Sequence, residues 1–327
     1  MSAPLGVGLL GLGTVGSAVA RVMAERAKRL EAMAGRPVRL VSVAKRDPRT
    51  IRDTATKTAI ATDDVLVTSD PFAILDDPKV HIVVEVIGGT APALDLHLAA
   101  FERGKHVVTA NKELVAKEWN QLHEAARSAK RELRFEASVA AAIPIVAATR
   151  QLGASRPRVL RGLLNGTTTF ICSQLDQGRD FTAALAEAVR LGYAEADPSA
   201  DVDGFDPAYK LSILISLLEG RHFHPDNVKR TSLRGVSTDD VTAARARGAT
   251  IRYLATADFG ERATKARVGP EEVALDSLEG AATGPTNVVR LETDLARTLV
   301  FSGPGAGGEA TASAILGDVI AIARAAR

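Results

Sequence analysis

Carboxylates are concentrated in one segment, residues 192–210 (GYAEADPSADVDGFDPAYK), which ends on a lysine. Its acids are Glu195, Asp197, Asp201, Asp203 and Asp206. The apolar stretch at residues 211–219 (LSILISLLE) follows at once and predicts a helix, so the acids precede a helix instead of lying in a tail. Carboxylates can bind a cationic group, and a lysine can take up a proton from a hydroxyl if burial or a second cation lowers its pKa. The segment therefore predicts a binding site with acid–base chemistry.

Asp206 and Pro207 predict the start of that helix, because an aspartate N-cap followed by proline at the first helical position is a favoured pair. Lys210 lies four residues after Asp206, so the two side chains should share one face of the first turn. The alternative is that Asp206 only caps the helix and pairs with Lys210 at the surface, where such pairs are common. The other acids of the segment, upstream of Asp206, favour a binding site over this alternative.

A strand, a glycine motif and a helix are predicted in succession near the N-terminus. Residues 5–10 (LGVGLL) lead into Gly11-x-Gly13-x-x-Gly16, and residues 17–30 have helical spacing of apolar side chains. In this context Gly11 can form the tight turn, Gly13 lets the backbone approach a pyrophosphate, and Gly16 permits close helix packing. The alternative is a tight turn without a ligand. The expected cofactor contacts are Gly11, Gly13, Thr14, Val15 and Gly16.

The second predicted strand, residues 38–44 (VRLVSVA), is followed by two basic residues, Lys45 and Arg46. A site for NAD usually has an acid at this corner, which binds the 2′-hydroxyl of the ribose. Basic side chains suit a 2′-phosphate instead, and the guanidinium of Arg46 matches phosphate oxygens best. We therefore expect NADP over NAD. The alternative is that both residues are solvated loop charges, in which case NAD remains possible.

Further strands are predicted at residues 80–87 (VHIVVEVI), 106–109 (HVVT) and 133–138 (LRFEAS), with helices such as residues 93–103 between them. Apolar strands alternating with helices indicate an α/β fold with a Rossmann-type, doubly wound parallel sheet. Ligands of such sheets bind just past the carboxyl ends of the strands. The residues expected there are Gly88, Thr90 and Lys112. The alternative for Lys112 is an ordinary solvated lysine.

The second half predicts an α+β domain with an antiparallel sheet. Helices are expected at residues 145–152 and 238–247, and strands at residues 159–164, 250–257, 264–268, 288–292 and 298–301. The run Asn165-Gly166-Thr167-Thr168-Thr169 can cap a helix or hold a carboxylate. A last helix, residues 310–325, can return to the first domain. We expect a dinucleotide-binding domain at residues 1–140 with 306–327, and a substrate-binding domain at residues 141–305.

Composition limits the class of partner. Of the 327 residues, 41 are Lys or Arg and 39 are Asp or Glu, so the formal net charge is only +2. No broad field favours nucleic acid or an anionic membrane, and no uninterrupted apolar stretch suggests a membrane span. The single cysteine, Cys172, excludes an internal disulfide and fits a reducing compartment. A cytoplasmic protein that acts on a small molecule is expected.

Taken together, these motifs resemble the homoserine dehydrogenase family over almost the whole chain. The shared pieces are GLGTVG at Gly11, VVEVIGGT at Val83, VVTANKELVA at Val107 and the final GPGAG and TASAILGDVIAIA segments. The most specific piece is the acidic segment. It matches the family signature at Ala188, Gly192, Asp197, Pro198, Asp201, Val202, Gly204, Asp206 and Lys210.

The resemblance implies an NAD(P)-dependent interconversion of L-homoserine and L-aspartate 4-semialdehyde, on the route to threonine and methionine. By the same resemblance Lys112 and Lys210 would serve the reacting oxygen, and Glu195 and Asp206 would hold the amino end of the substrate and orient the lysine. Which lysine exchanges the proton stays open. The substrate-binding residues implied are Glu195, Gly166, Thr167, Tyr193 and Asp201.

The resemblance also implies a sodium or potassium ion, bound mostly by backbone carbonyls, and a homodimer formed through the sheet of the second domain. The matching positions for the ion are Glu136, Val139, Ala141 and Ile143. Relatives commonly have glycines where this chain has Ala140-Ala141-Ala142, which restricts the backbone there. Thr169 and Phe170 replace a frequent Asn-Tyr pair. Since the chain stops soon after the last helix, we expect a short form without a C-terminal regulatory ACT domain.

Two other functions compete with this interpretation. The first is an aldehyde dehydrogenase with Cys172 as its nucleophile, but that residue lies in TTTFICSQL, on a face predicted to be buried. The second is a nucleotide sensor without catalysis. A sensor needs no proton-transfer group, so the set of Lys112, Glu195, Asp206 and Lys210 argues against it.

Overall fold

The structure is a computed structural model that describes residues 3–47 and 64–325. The chain divides into two compact units. The first comprises Met1–Ala141 together with Gly307–Arg327, and the second comprises Ala142–Ala306.

The first unit contains a parallel six-stranded sheet in the order β3-β2-β1-β4-β5-β6. Its strands are β1 Leu5–Leu10, β2 Val38–Ala44, β3 Leu66–Thr68, β4 Ile82–Glu85, β5 His106–Thr109 and β6 Leu133–Arg134. All residues of β1 and β4 are buried, as expected for central strands of a sheet covered on both faces. The strand order reverses between β1 and β4, and such a switch point is where doubly wound sheets bind ligands.

Helices cover this sheet and complete the core of the first unit. In chain order they are α1 Thr14–Glu25, α2 Ala27–Ala34, α3 Pro71–Asp76, α4 Ala93–Glu102, α5 Lys112–Lys117, α6 Trp119–Ser128 and, after the second unit, α13 Gly308–Ala325. Val19 of α1 and Ile315 and Val319 of α13 belong to the same buried cluster as Val7 and Leu9 of β1. The last helix therefore packs within the first unit.

The second unit contains a mixed sheet in the order β12-β11-β7-β9-β10-β8. Its strands are β7 Pro157–Leu163, β8 Val228–Arg230, β9 Ala249–Phe259, β10 Thr264–Ala274, β11 Thr286–Thr293 and β12 Thr298–Pro304. Neighbouring strands are antiparallel, except that β8 is parallel to β10. The helices are α7 Ile145–Gln151, α8 Gly166–Leu175, α9 Phe181–Arg190, α10 Ser199–Val202, α11 Phe205–Glu219 and α12 Thr238–Ala246.

Three local predictions were wrong. The helix predicted at residues 17–30 is two helices, because the chain turns at Arg26, and the turn lets Leu30 and Ala34 join the core. The strand predicted at residues 133–138 ends at Arg134. A 3₁₀ turn, Glu136–Ser138, follows it, since the Glu136 N–H donates to Asp318 on α13 and not to a neighbouring strand. The helix start predicted at Asp206 is corrected below.

Candidate active site

The glycine motif is built as the sequence predicts. Gly11 has φ of 105°, which favours glycine. A Cβ on Gly16 would lie 2.0 Å from the carbonyl oxygen of Gly11, so this position must be glycine for the helix to pack. Gly13 is the N-cap of α1, and a Cβ there would meet no atom within 4 Å. Packing against the described residues therefore does not require glycine at position 13.

Residues Thr14 and Val15 form the first turn of α1, directly after this glycine. Their position at a helix N-terminus offers backbone N–H groups and the positive end of the helix dipole to an anion. Lys45 and Arg46 lie at the end of β2, where Lys45 is half-buried and Arg46 is exposed. The backbone N–H of Lys45 donates to the carbonyl of Thr68 on β3. The first unit thus has donors fit for a pyrophosphate and basic groups at the corner expected for the ribose.

Two loops follow β4 and β5 at the carboxyl edge of the sheet. Gly88 and Gly89 have φ of 73° and 72°, and Thr90 comes next. Asn111 caps α5 by accepting a hydrogen bond from the Leu114 N–H across 3.1 Å, which places Lys112 in the first turn. Asn111 also donates to the carbonyl of Gly89 across 2.6 Å. The two predicted cofactor loops are therefore joined by a hydrogen bond.

Glu85, at the end of β4, is fully buried and accepts hydrogen bonds from the Ile87 N–H in the loop after β4 and from the hydroxyl of Thr109, the last residue of β5. The sequence interpretation missed this residue. The signal was a single charge inside the apolar run VHIVVEVI, which costs free energy unless the charge is satisfied.

Asp206 and Lys210 form a buried ion pair in the second unit. Lys210 Nζ lies 2.7 Å from Asp206 Oδ2 and also donates to the carbonyl of Leu164 across 2.7 Å. The prediction that Asp206 is the N-cap of α11 was wrong. The N-cap is Gly204, with φ of 83°, and Asp206 lies inside the first turn. Proline is tolerated at position 207 because N–H groups in the first turn have no acceptor within the helix.

Asn165 joins the acidic segment to the end of β7. Its amide nitrogen donates to Asp201 across 2.6 Å and to Asp206 across 2.8 Å, and its oxygen caps α8 by accepting from the Thr168 N–H. Burial, followed by the charge of Asp206, raises the pKa of Asp201 above its ordinary value. The sequence interpretation gave Asn165 only as part of a run that can cap a helix or hold a carboxylate, because nothing in its neighbourhood along the chain shows that it binds Asp201 and Asp206.

The other acids of the segment have different surroundings. Asp203 accepts hydrogen bonds from Ser232 and Arg234, and Asp197 accepts one from the Ser199 N–H across 3.0 Å. Glu195 is exposed, and no hydrogen bond or ion pair of its side chain occurs within residues 3–47 and 64–325. The structure thus brings Asp201, Asp206 and Lys210 together and leaves Glu195 outside their hydrogen bonds.

Gly166 and Thr167 begin α8, beside Asn165. A Cβ on Gly166 would lie 3.1 Å from the carbonyl oxygen of Pro285, so the helix approaches that backbone closely. The Thr167 hydroxyl donates to the carbonyl of Tyr193 across 2.6 Å, and the Tyr193 ring packs on Phe170 with centroids 5.0 Å apart. These contacts hold Tyr193, which is 40% exposed, next to the start of α8.

The segment expected to hold a cation has a constrained backbone. Ala140 and Ala141 have φ of 54° and 45°, a conformation in which glycine is favoured. The carbonyl of Glu136 accepts from the Val139 N–H across 3.3 Å, and that of Ile143 accepts from the Ile145 N–H across 2.7 Å. In the described part of the chain, no group of three or more His, Cys, Asp or Glu side chains is placed to hold a metal.

Cys172 lies inside α8 and is buried. Burial raises the pKa of its thiol to about 12, so the thiolate needed by a nucleophilic cysteine is disfavoured at neutral pH. The structure thus gives no support to an aldehyde dehydrogenase of the thiol type. Separately, no helix among residues 3–47 and 64–325 is long and apolar enough to cross a bilayer.

Comparison with known proteins matches both halves of the chain to one family. A family model described as homoserine dehydrogenase matches residues 144–320, and one described as homoserine dehydrogenase, NAD binding domain, matches residues 11–136. The chain is also similar to the homoserine dehydrogenase of Mycobacterium tuberculosis, with 42% identity over 98% of this chain and 73% of that protein.

Solved structures agree with the sequence matches. The homoserine dehydrogenase from Thiobacillus denitrificans has a TM-score of 0.93 and 39% identity, over 98% of this chain and 74% of that one. A hyperthermophilic archaeal homoserine dehydrogenase in complex with NADPH has a TM-score of 0.82 and 27% identity, over 97% of each chain. The chain thus belongs to the homoserine dehydrogenase family, NAD(P)-dependent oxidoreductases that interconvert L-homoserine and L-aspartate 4-semialdehyde in threonine and methionine biosynthesis.

Proposed function

We propose that Lys210, held by Asp206, exchanges the proton with the reacting oxygen of the substrate. The observation that carries this role is the buried ion pair, in which Lys210 Nζ lies 2.7 Å from Asp206 Oδ2. During aldehyde reduction the ammonium donates a proton to the oxygen on which negative charge develops, and during alcohol oxidation the neutral amine accepts it. The bound nicotinamide supplies the hydride acceptor for oxidation and the hydride donor for reduction.

The remaining groups bind the two ends of the amino-acid substrate. Asp201, next to Asp206, and Glu195 supply carboxylates for the substrate ammonium. The backbone at Gly166 and Thr167, at the N-terminus of α8, offers N–H groups to the substrate carboxylate. Tyr193 is held at that helix end by Thr167 and contacts the substrate. Lys112, in the first turn of α5, is the second candidate for the proton-transfer group.

Single substitutions of the two lysines decide between them. Lys210→Ala should lower kcat by about 10²- to 10⁴-fold with little change in the KM for the cofactor, and a small primary amine added to the assay should restore part of the rate. Lys112→Ala should lower kcat less and should not respond to the amine. Lys229→Ala, on the exposed side of β8, is the matched control. Rescue of Lys112→Ala alone would assign the proton transfer to Lys112.

We propose NADP as the preferred cofactor, with Lys45 and Arg46 binding its 2′-phosphate. Their place at the end of β2 supports this preference, and the archaeal neighbour was solved with NADPH. Replacing both residues by alanine should lower kcat/KM for NADP by about 10- to 100-fold and leave kcat/KM for NAD within about twofold. Arg39→Ala, exposed on β2, is the control. An equal loss for both cofactors would contradict the assignment.

We propose that the carbonyl oxygens of Glu136, Val139, Ala141 and Ile143 bind a sodium or potassium ion. Neutral oxygen donors suit a hard monovalent cation, and the left-handed backbone at Ala140 and Ala141 is strained for an L-residue. Binding should raise the melting temperature in sodium or potassium chloride above that in N-methylglucamine chloride of equal ionic strength. Equal melting temperatures in all three salts would contradict the site.

We propose a homodimer formed through one face of the second sheet. One row of paired residues crosses β7, β11 and β12 and consists of Arg161, Arg290 and Val300. These side chains lie on the face of the sheet opposite Tyr253. The hydroxyl of Tyr253 lies against Gly204, beside α11. Val300 is 41% exposed. Val300→Asp should therefore shift the mass measured by light scattering toward the monomer, whereas Leu295→Asp, in a loop, should not. A native chain that is already monomeric would refute the dimer.

We also propose a cytoplasmic location, which a fluorescent fusion tests.

A further inference from the structure

Glu85 lies at the carboxyl end of β4, beside the point where the strand order reverses. Its side chain is fully buried, and it takes no part in the proton transfer described above. A buried carboxylate is costly unless hydrogen bonds satisfy it.

Four groups in the described residues lie within hydrogen-bond distance of the Glu85 carboxylate. Three of them are donors, and the fourth, His97 Nε2, donates when it carries a proton. Oε1 accepts from the backbone N–H groups of Ile87 at 2.7 Å and Gly88 at 3.2 Å. Oε2 accepts from the Thr109 hydroxyl at 2.7 Å and lies 3.1 Å from His97 Nε2. Burial acts to raise the pKa of Glu85, but the hydrogen bond and charge of His97 and the other donors outweigh it and lower that pKa overall. The carboxylate is held ionised as an acceptor.

The second half of the network begins at Thr109. Its hydroxyl oxygen accepts from the Asn111 N–H at 2.9 Å, while the Asn111 side chain donates to the Gly89 carbonyl at 2.6 Å. Gly89 is bonded to Gly88, whose N–H donates to Glu85, so the hydrogen bonds form a ring that begins and ends at the Glu85 carboxylate. One carboxylate therefore connects the loop after β4 with the loop after β5, including the turn that carries Lys112.

We propose that Glu85 is a positioning residue that fixes these two loops, residues 87–90 and 110–112, in the arrangement that binds the nicotinamide cofactor. The inference rests on the proposed placement of the cofactor at this edge of the sheet. Only an ionised carboxylate accepts from all four donors. A glutamine has one acceptor oxygen and one donor group, so it would leave part of the ring without partners.

The test compares Glu85→Gln with a matched control, Glu102→Gln, which makes the same change at an exposed position of α4. Dissociation constants for NADPH are measured by fluorescence titration, and KM for homoserine and kcat by initial rates. Glu85→Gln should weaken NADPH binding at least 10-fold and leave the homoserine KM within about twofold. Glu102→Gln should bind NADPH as the native chain does.

Substitutions at Thr109 keep the proposal testable if Glu85→Gln folds poorly. Thr109→Ser retains the hydroxyl and should bind NADPH normally, whereas Thr109→Val removes it and should weaken binding. The double variant Glu85→Gln/Thr109→Val should bind only slightly more weakly than the worse single variant, because both break the same ring.

Two results would overturn the inference. One is unchanged NADPH binding in Glu85→Gln and Thr109→Val. The other is a lowered melting temperature in these variants with a normal NADPH dissociation constant for the folded fraction, which is what a merely structural role predicts. Failure of the native chain to bind NADPH at all would instead refute the cofactor assignment on which the inference depends.

Discussion

The amide nitrogen of Asn165 donates a hydrogen bond to Asp206 across 2.8 Å, although 41 positions separate the two residues in the chain. The same nitrogen donates to Asp201, so the two carboxylates are held next to each other. Asp206 in turn contacts Lys210. The position of the proposed proton-transfer group therefore depends on an asparagine at the end of β7.

The role of this amide can be separated from helix capping. Asn165→Asp keeps an oxygen that caps α8 but replaces two donors by a third carboxylate. The free energy of unfolding should fall by about 2–4 kcal/mol at pH 7, and the loss should shrink near pH 4.5 as carboxyl groups take up protons. Urea unfolding at both pH values measures this. Asn120→Asp, exposed on α6, is the control, and a loss independent of pH would contradict the explanation.

Asp201 should give a distinct pH dependence of stability. Burial and the charge of Asp206 raise its pKa in the folded protein above 3.8, so the folded state binds this proton more tightly than the unfolded chain. The free energy of unfolding therefore falls as the pH rises from the pKa of Asp201 in the unfolded chain to its higher pKa in the folded protein. Asp201→Asn removes this loss and still accepts from Asn165. Its stability relative to the native chain should rise as the pH increases from below 3.8 toward neutral.

Urea midpoints across that range measure the difference. Asp239→Asn, at an exposed position of α12, is the control. The Asp201 variant should also lose kcat/KM for homoserine, since in the proposed function this carboxylate binds the substrate ammonium. If the stability difference between Asp201→Asn and the native chain does not change with pH, the ionised Asp201 carboxylate does not destabilise the folded protein.

The two later glycines of the nucleotide motif should fail in different ways. Gly16→Ala would place a Cβ 2.0 Å from the Gly11 carbonyl oxygen, so the melting temperature should fall strongly or the protein should not fold. Gly13→Ala meets no protein atom and should keep the native melting temperature while weakening NADPH binding. Thermal unfolding and fluorescence titration of each variant test this. Normal NADPH binding by Gly13→Ala would remove the ligand argument for that glycine.

The alanine run in the proposed cation segment should be a source of strain. Ala140 and Ala141 have positive φ, which costs an L-residue about 1–2 kcal/mol. Ala141→Gly should therefore raise the free energy of unfolding by about 0.5–1 kcal/mol, despite the greater entropy of glycine in the unfolded chain. Ala125→Gly, inside α6, should lower it by about 1 kcal/mol. A destabilising Ala141→Gly would show that the strain is absent.

Local sequence predicted several elements to the residue. The strands Val38–Ala44 and His106–Thr109 have the predicted bounds. A short apolar run between polar turns leaves little choice of where the strand begins and ends. Cys172 is buried in a helix, as its neighbours indicated. The Asp-Pro pair at position 206 was misleading, because it is compatible both with an N-cap and with the first turn of a helix that glycine caps.

The sequence by itself determined the family and the Rossmann-type fold, and it supplied the lysines and carboxylates proposed for the reaction, because these depend on residue types at short, fixed spacings. Only the tertiary structure decided which of these groups meet. Glu85 and Thr109 lie 24 positions apart, and Asn165 and Asp201 lie 36 apart. Partners at such separations are chosen by the packing of strands and helices and leave no periodic signal in the chain. Burial then determines how strongly each pair interacts, since a carboxylate removed from water depends on the donors that surround it.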